Sequence, residues 1–183
     1  MPGPVLTFNN CKNVIIDNVH VECSHVSSGI RFRECNDVKI RNGFYLHGFG
    51  AGGYGVGTSN FSGELTAVGA HVEQWAWGEA GFDDQANRVG YGWLMRTADF
   101  TLTGCLSNYT GVPYYKDGYG SWSMSQCHGY NGALTSVTDA DNILSIEVAD
   151  PSNGVIDAFY SDQGAVHIKC DDLHSATGKT LQS

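Results

Sequence analysis

The sequence contains a repeated segment: residues 11–18 read CKNVIIDN, and residues 35–42, 24 positions later, read CNDVKIRN. Five of the eight positions match in kind, and apolar and polar residues alternate as they do in a half-buried β-strand. Shorter forms of the same pattern begin at Asn60, Asp99 and Asn142. A pattern that returns at nearly regular spacing predicts that the chain builds one structural unit several times.

A second pattern, Gly-Tyr-Gly, occurs at residues 53–55, 90–92 and 118–120. These patterns predict short alternating strands that repeat every 23 to 28 residues, with Asn and Gly between them. Such a repeat is typical of a parallel β-helix, because Asn and Gly tolerate the left-handed backbone that its corners need. A leucine-rich repeat is excluded because it needs Leu at fixed positions and a helix in each repeat. The predicted fold is therefore all-β, a parallel β-helix (solenoid) with inserted loops, and a repeat of about 25 residues predicts about seven rungs.

Composition agrees with strands and turns: the 183 residues include 24 Gly, nine Tyr, eight Phe and only four Pro. The net charge of −9 argues against nucleic acid and anionic membrane surfaces as partners, because both are negatively charged. No apolar stretch approaches the roughly 20 residues of a membrane span, and the N-terminus lacks a basic flank followed by an apolar run. We therefore expect no membrane insertion and no signal peptide.

The six cysteines contain no C-x-x-C pair and no tight Cys/His cluster, which predicts no metal site and no cofactor. Their positions in the repeat predict buried free thiols, with Cys11 stacked above Cys35 and Cys105 near Cys127. The whole chain, residues 1–183, is expected to form a single β-helix domain that is a fragment of a longer polypeptide or part of an oligomer, because the ends of a stack expose unpaired strands.

Aromatic residues concentrate where the repeat is interrupted, in two segments near 74–91 and 107–119 that we interpret as inserted loops on the same side of the coil. A groove between such loops suits carbohydrate, because sugar rings stack their C–H faces on aromatic rings and bond their hydroxyls to carboxylates. The predicted substrate-binding residues are Trp75, Trp77, Asp84, Trp93, Tyr114, Tyr115 and Trp122. The alternative for the aromatic residues is that they pack in the core of an enlarged loop.

Carboxylates in the same segments are candidates for glycoside hydrolysis, which needs two carboxyl groups roughly 5 to 9.5 Å apart. We predict Glu79, Asp83 and Asp117 as catalytic residues, since acids on successive rungs, about 4.8 Å apart, fall near this range. The alternative interpretation is that these acids are solvated residues that cap turns.

Three histidines, His20, His47 and His71, recur at spacings of 27 and 24 residues, which predicts a ladder on one face of the coil. Stacked side chains run parallel rather than converging, so an exposed or subunit-contacting stripe is favoured over a metal site.

The repeats and the aromatic segments between them resemble the right-handed, single-stranded β-helix proteins of the pectate-lyase-like class, and most closely the bodies of bacteriophage tailspikes. The resemblance covers residues 5 to 172 and is a pattern of fold, without a diagnostic catalytic motif. It implies a homotrimer on the virion, and hence an extracellular location, that binds a bacterial surface polysaccharide and cleaves it with Glu and Asp side chains.

Two other functions stay open from the sequence. One is a polysaccharide lyase or epimerase, which would depend on Tyr, His, Arg or Lys as the base. The other is a non-catalytic structural or adhesive β-helix of a virion, in which the inserted segments serve only binding or subunit contacts.

Overall fold

The fold was determined from a computed structural model, which describes residues 1–60, 63–76, 79, 90–96, 99–117, 121–130, 144–148, 154–157, 160–161 and 166–170. The described residues form nineteen β-strands, and every pairing among them is parallel. Consecutive strands belong to different sheets, and each strand pairs with the strand three places further along the chain. The predicted all-β parallel solenoid is confirmed.

Each turn of the solenoid contributes one strand to each of three sheets. Sheet A contains β1 (Pro4–Asn9), β4 (Ser28–Arg33), β7 (Gly53–Ser59), β10 (Gly90–Arg96), β13 (Val112–Asp117), β16 (Leu144–Val148) and β19 (Val166–Cys170). Sheet B contains β2 (Lys12–Asp17), β5 (Asn36–Arg41), β8 (Glu64–Val68), β11 (Asp99–Thr103), β14 (Trp122–Ser125) and β17 (Gly154–Asp157). Sheet C contains β3 (His20–Glu22), β6 (Tyr45–His47), β9 (His71–Glu73), β12 (Leu106–Asn108), β15 (His128–Tyr130) and β18 (Tyr160–Ser161).

The number of turns differs from the predicted count of about seven: about four turns are described with their side chains. Strands β1 to β12 make these four turns. The backbone of the described strands from β13 onward continues the order of the three sheets. Dividing the chain length by a uniform repeat overestimates the count because residues between strands also take up length, as the segment 74–89 between β9 and β10 does.

The repeated segment at residues 11–18 and 35–42 sets the register of sheet B. Val14 lies opposite Val38 and Ile16 opposite Ile40, 24 residues apart. Ile40 is 1% exposed, whereas the neighbouring Ile15 is 56% exposed. Alternate residues therefore face the core and the solvent, as the period-two pattern predicts.

The corners between sheets have the predicted chemistry. Asn18 and Asn42 directly follow equivalent strands of sheet B, β2 and β5, and adopt left-handed backbone, with φ angles of 51° and 56°. Asn tolerates this region because its short polar side chain bonds locally to the backbone. The corner asparagines thus allow the chain to turn without breaking the parallel stack.

The cysteines described with their side chains, Cys11, Cys23, Cys35, Cys105 and Cys127, are free, and four of them are buried. Burial raises the pKa of the Cys23 thiol to about 11, and burial is also the main reason that the pKa of Cys35 lies above its ordinary value. The prediction of free thiols is confirmed for these five residues.

The segment predicted as the second inserted loop, 107–119, is largely regular structure. Strand β12 ends at Asn108 and β13 begins at Val112, so three residues separate them. The tyrosines that suggested a loop instead alternate along β13, where Tyr114 is buried and Tyr115 is half-buried.

Among the residues that the structure describes, no helix is long and apolar enough to cross a membrane.

Candidate functional site

The outer face of sheet C carries two columns of polar side chains at its first three strands. The short strands place one outward residue at each end and one inward residue between them, so both ends stack from turn to turn. The first column contains His20, Tyr45 and His71, and the second contains Glu22, His47 and Glu73.

The predicted histidine ladder is therefore correct only for its outer members. His20 and His71 share a column, with Tyr45 between them, whereas His47 lies in the neighbouring column. Tyr45 is 25 residues after His20, and His47 is two residues further, which moves its side chain to the other end of the same strand. This shift brings His47 to the edge of sheet C where the chain leaves it.

His25, His47 and Glu79 converge at that edge. One carboxylate oxygen of Glu79, Oε2, lies 3.1 Å from Nε2 of His47 and 3.4 Å from Nε2 of His25. The same oxygen accepts a hydrogen bond of 2.7 Å from the backbone N–H of Ala76. His25 comes after β3, His47 ends β6 and Glu79 comes after β9, so three consecutive turns each supply one side chain.

Two further side chains hold this cluster in place. Oε2 of Glu22 lies 2.7 Å from Nδ1 of His47, and Oε1 of Glu22 accepts a hydrogen bond from the backbone N–H of Ser24. The ring of Trp75 stacks on the ring of His25, with centroids 3.8 Å apart and planes inclined by 12°. His47 thus lies between two carboxylates, and His25 lies against an aromatic ring.

The charges in the cluster depend on one another. Burial lowers the pKa of His47, but the adjacent carboxylates of Glu22 and Glu79 outweigh burial and leave that pKa above its ordinary value. Burial raises the pKa of Glu22, but hydrogen bonds from His47 and from the Ser24 backbone outweigh it and leave that pKa below its ordinary value. The arrangement therefore favours positive charge on the ring and negative charge on Glu22.

A second polar network lies beside the cluster, around the buried carboxylate of Glu73. The hydroxyl of Tyr45 donates a hydrogen bond to Oε1 of Glu73, and Nε2 of His71 lies 3.2 Å from Oε2. Asn108, on the next turn, lies 3.1 Å from the same His71 nitrogen. Burial raises the pKa of Glu73, but the hydrogen bonds from His71 and Tyr45 outweigh it, so the pKa lies below its ordinary value of 4.5.

Replacing Glu73 with glutamine is expected to lower the free energy of unfolding at pH 7 by about 2 kcal/mol, because hydrogen bonds to a buried carboxylate are lost. A carboxyl whose folded pKa is lowered stabilises the protein above its unfolded pKa, near 4.5, and this contribution disappears as the pH falls through the folded pKa. Urea unfolding at pH 7 and pH 3 should therefore show a smaller difference between parent and variant at pH 3. His71, Tyr45 and His47 face this carboxylate and stay unchanged in the variant.

The exposed Glu64, on sheet B, gives the matched control, and Glu64→Gln should change unfolding little at either pH. A Glu73→Gln difference that is as large at pH 3 as at pH 7 would contradict an ionised carboxylate.

The structure places the predicted substrate-binding aromatics in different surroundings. Trp93 has no exposed fraction, and Tyr114, which lies opposite it on the next strand of sheet A, is 3% exposed. Both side chains belong to the hydrophobic core. Tyr115 is half-buried against Tyr91, and Trp122 is half-buried in a stack with Phe100.

Of the predicted acids, Glu79 is in the cluster on sheet C. Asp117 is the last residue of β13, and its side chain is outside the described part of the structure. Trp77, Asp83 and Asp84 lie outside the described residues. Trp75 and Glu79 are thus the predicted residues that the structure brings into the cluster on sheet C.

Sequence reasoning missed His25 and Glu22. Both lie near the end of β3, and offsets of 25 and 26 residues align this end with the ends of β6 and β9. The repeat aligns Glu22 with His47, but His25 lies three residues after β3 and Glu79 six residues after β9, so the repeat alone does not bring these two side chains to His47.

A concave surface lies across sheet B, over β2, β5 and β8. It offers carboxylates and a lysine but no aromatic ring among the described residues that line it, so a sugar would have nothing to stack on. The residues that line this surface are Asn13, Val14, Ile15, Asp37, Val38, Lys39, Glu64 and Thr66.

Comparison with known proteins gave no match: no family model, no curated protein and no solved structure is significantly similar to this chain.

Proposed function

We propose that this β-helix binds a bacterial surface polysaccharide and hydrolyses it at the edge of sheet C, as the resemblance to tailspike bodies implies. The observation that carries the proposal is the position of Glu79, whose carboxylate lies beside the stacked rings of His25 and Trp75. A carboxylate next to aromatic rings combines the two groups that sugars need, a partner for hydroxyls and an apolar surface for C–H groups.

The proposed carboxyl pair is Glu22 and Glu79, which approach the two ring nitrogens of His47. Carboxyl oxygens on opposite sides of one imidazole are separated by roughly 7 Å, within the roughly 6.5–9.5 Å that inverting glycosidases use. One carboxyl protonates the leaving glycosidic oxygen, while the other takes a proton from the attacking water. We assign the base role to Glu22, whose side chain is 50% exposed to water. The acid role falls to Glu79, which is 30% exposed and takes the proton that it donates from Nε2 of the protonated His47 ring, 3.1 Å away.

The solenoid itself supports an extended ligand. Its parallel strands repeat the outer face of sheet C from turn to turn, so a polymer lying along the stack meets equivalent positions several times. The proposal includes a right-handed coil, a homotrimer and a place on the virion surface, as in the proteins that the sequence resembles. Asp83 and Asp117 remain candidates for catalysis within it.

Cleavage assays with purified bacterial surface polysaccharides test the proposal. We expect the parent protein to shorten the polymer and to release new reducing ends. Glu79→Gln and Glu22→Gln, made singly, should each lower the rate about 100-fold or more because each removes one carboxyl group. The control is Glu64→Gln, which changes an exposed carboxylate outside the cluster and should cleave like the parent.

Other outcomes would replace the proposal. Equal rates for the parent, Glu79→Gln and Glu22→Gln would move the chemistry elsewhere on the chain. An unsaturated product that absorbs in the ultraviolet would identify a lyase, and binding without any product would identify an adhesive β-helix.

A further inference from the structure

We infer that His25, His47 and Glu79 bind a divalent transition-metal ion, with Zn²⁺ as the best match. One ligand atom from each of these side chains lies within 4.8 Å of the other two. The inference goes beyond the proposed function and does not depend on it, because the three side chains alone define the site. It also differs from the expectation of no metal site. That expectation rested on the absence of a cysteine cluster and on the parallel stacking of His20, His47 and His71, and did not include His25 or Glu79 as ligands.

Two of the three ligand distances in the cluster fit a tetrahedral ion, and the third, between the ring nitrogens of His25 and His47, is within 4.8 Å. Zn²⁺ binds His nitrogen and carboxylate oxygen at about 2.0–2.2 Å, so neighbouring ligands of a tetrahedral site lie about 3.3–3.5 Å apart. Oε2 of Glu79 is 3.1 Å from the His47 nitrogen and 3.4 Å from the His25 nitrogen. An ion can therefore bind with small movements of the three side chains.

Glu22 orients His47 as a ligand. Its carboxylate accepts the Nδ1 proton of the ring at 2.7 Å, so when an ion displaces the proton on Nε2, the lone pair of that nitrogen is directed toward Glu79 and His25. Metal-binding histidines usually donate their other ring N–H to a carboxylate or a carbonyl, which fixes the tautomer and makes the ligand more basic. Glu22 is thus a positioning residue that acts on the ion through His47.

The ligand set selects the type of ion. Two imidazoles and one carboxylate suit Zn²⁺ and its neighbours in the first transition series, whereas Ca²⁺ and Mg²⁺ prefer six or more oxygen ligands. Three protein ligands leave the fourth tetrahedral position for water or for a ligand oxygen. A bound ion would hold Glu79 and remove it from the acid role, so the metal-free protein is the form expected to cleave glycan.

Equilibrium dialysis of the untagged full chain against Zn²⁺, followed by metal analysis, tests the inference. We expect one ion per chain. His47→Ala and Glu79→Gln should each weaken binding by about 100-fold or more, and Glu22→Gln by about 10- to 100-fold, as for other residues that orient a ligand. His20→Ala is the matched control, because it removes an exposed histidine from the same sheet without touching the cluster, and its affinity should equal that of the parent.

Cobalt gives a second measurement that does not rely on the loss of binding in a variant. Co²⁺ in a tetrahedral site absorbs visible light much more strongly than hydrated Co²⁺, so Co²⁺-loaded parent protein should show these bands, and added Zn²⁺ should remove them. Circular dichroism of each variant reports whether the β-helix has formed. Three results would each overturn the inference: binding of less than half an ion per chain, equal weakening of binding by His20→Ala and His47→Ala, or a Co²⁺ spectrum like that of the hydrated ion. These results are independent of whether the protein cleaves any glycan.

Discussion

Replacing Gly55 with alanine is expected to destabilise the β-helix by about 3 kcal/mol, near the upper end of typical overpacking costs. A Cβ atom on Gly55 would point into the core, where it would overlap Cγ1 of Val72 and lie 2.9 Å from the backbone oxygen of Gly92. Neither neighbour can move easily, since Val72 is fully buried and Gly92 belongs to the adjacent strand of sheet A. Urea unfolding measures the loss, and Gly3→Ala, with no atom within 4 Å of the new Cβ, is the control.

The double variant Gly55→Ala/Val72→Ala separates crowding from other effects of the substitution. Removing the Val72 methyl groups makes room for the new Cβ, so the double variant should be more stable than the sum of the single losses predicts, by about 1 kcal/mol or more. Strictly additive losses would contradict the contact between these two residues. Gly29 lies at the equivalent position one turn earlier, where a Cβ would lie 2.5 Å from Cδ1 of Leu46, so the close approach repeats along the stack.

The regular part of the fold could be predicted because its causes are local and repeated. The apolar positions of residues 11–18 and 35–42 alternate with the period of a strand, and stacking equivalent strands is the arrangement that buries both sets. The pattern therefore specified sheet B, its register and its corner asparagines without further information.

The repeat also predicts the position of one aromatic residue, Trp93, when it is applied to the Gly-Tyr-Gly segments. Residues 53–56 read GYGV and residues 90–93 read GYGW, and the structure pairs Val56 with Trp93. Val56 is fully buried, so the repeat itself places the tryptophan ring in the core rather than in a groove.

The candidate site depends on information that a repeat does not contain. Glu79 reaches His47 only through the path that the chain takes after β9, where residues 74–76 leave the stack. That path is determined by contacts such as the stacking of Trp75 on His25, which join residues 50 positions apart. A sequence indicates that the repeat is interrupted there, but the direction of the departing chain is set by tertiary packing.

Replacing Ile40 with alanine is expected to lower the free energy of unfolding by about 3 to 4 kcal/mol, as large-to-small changes in close-packed cores do. Ile40 is 1% exposed and lies between Ile16 and Ala67 in the central column of sheet B. The surrounding backbone is held by parallel strands on both sides, so the cavity left by the missing atoms cannot close fully. Urea unfolding at constant pH should show a lower midpoint with an unchanged slope.

Ile15 provides a control of identical chemistry on the neighbouring strand. Its side chain is 56% exposed and its position pairs with Lys39, so Ile15→Ala removes the same atoms from the outer face and should cost less than about 1 kcal/mol. Because both substitutions change isoleucine to alanine in sheet B, differences in strand propensity largely cancel. Equal losses for the two variants would contradict the register of β2 and β5, since a shift of one residue would exchange the inward and outward faces.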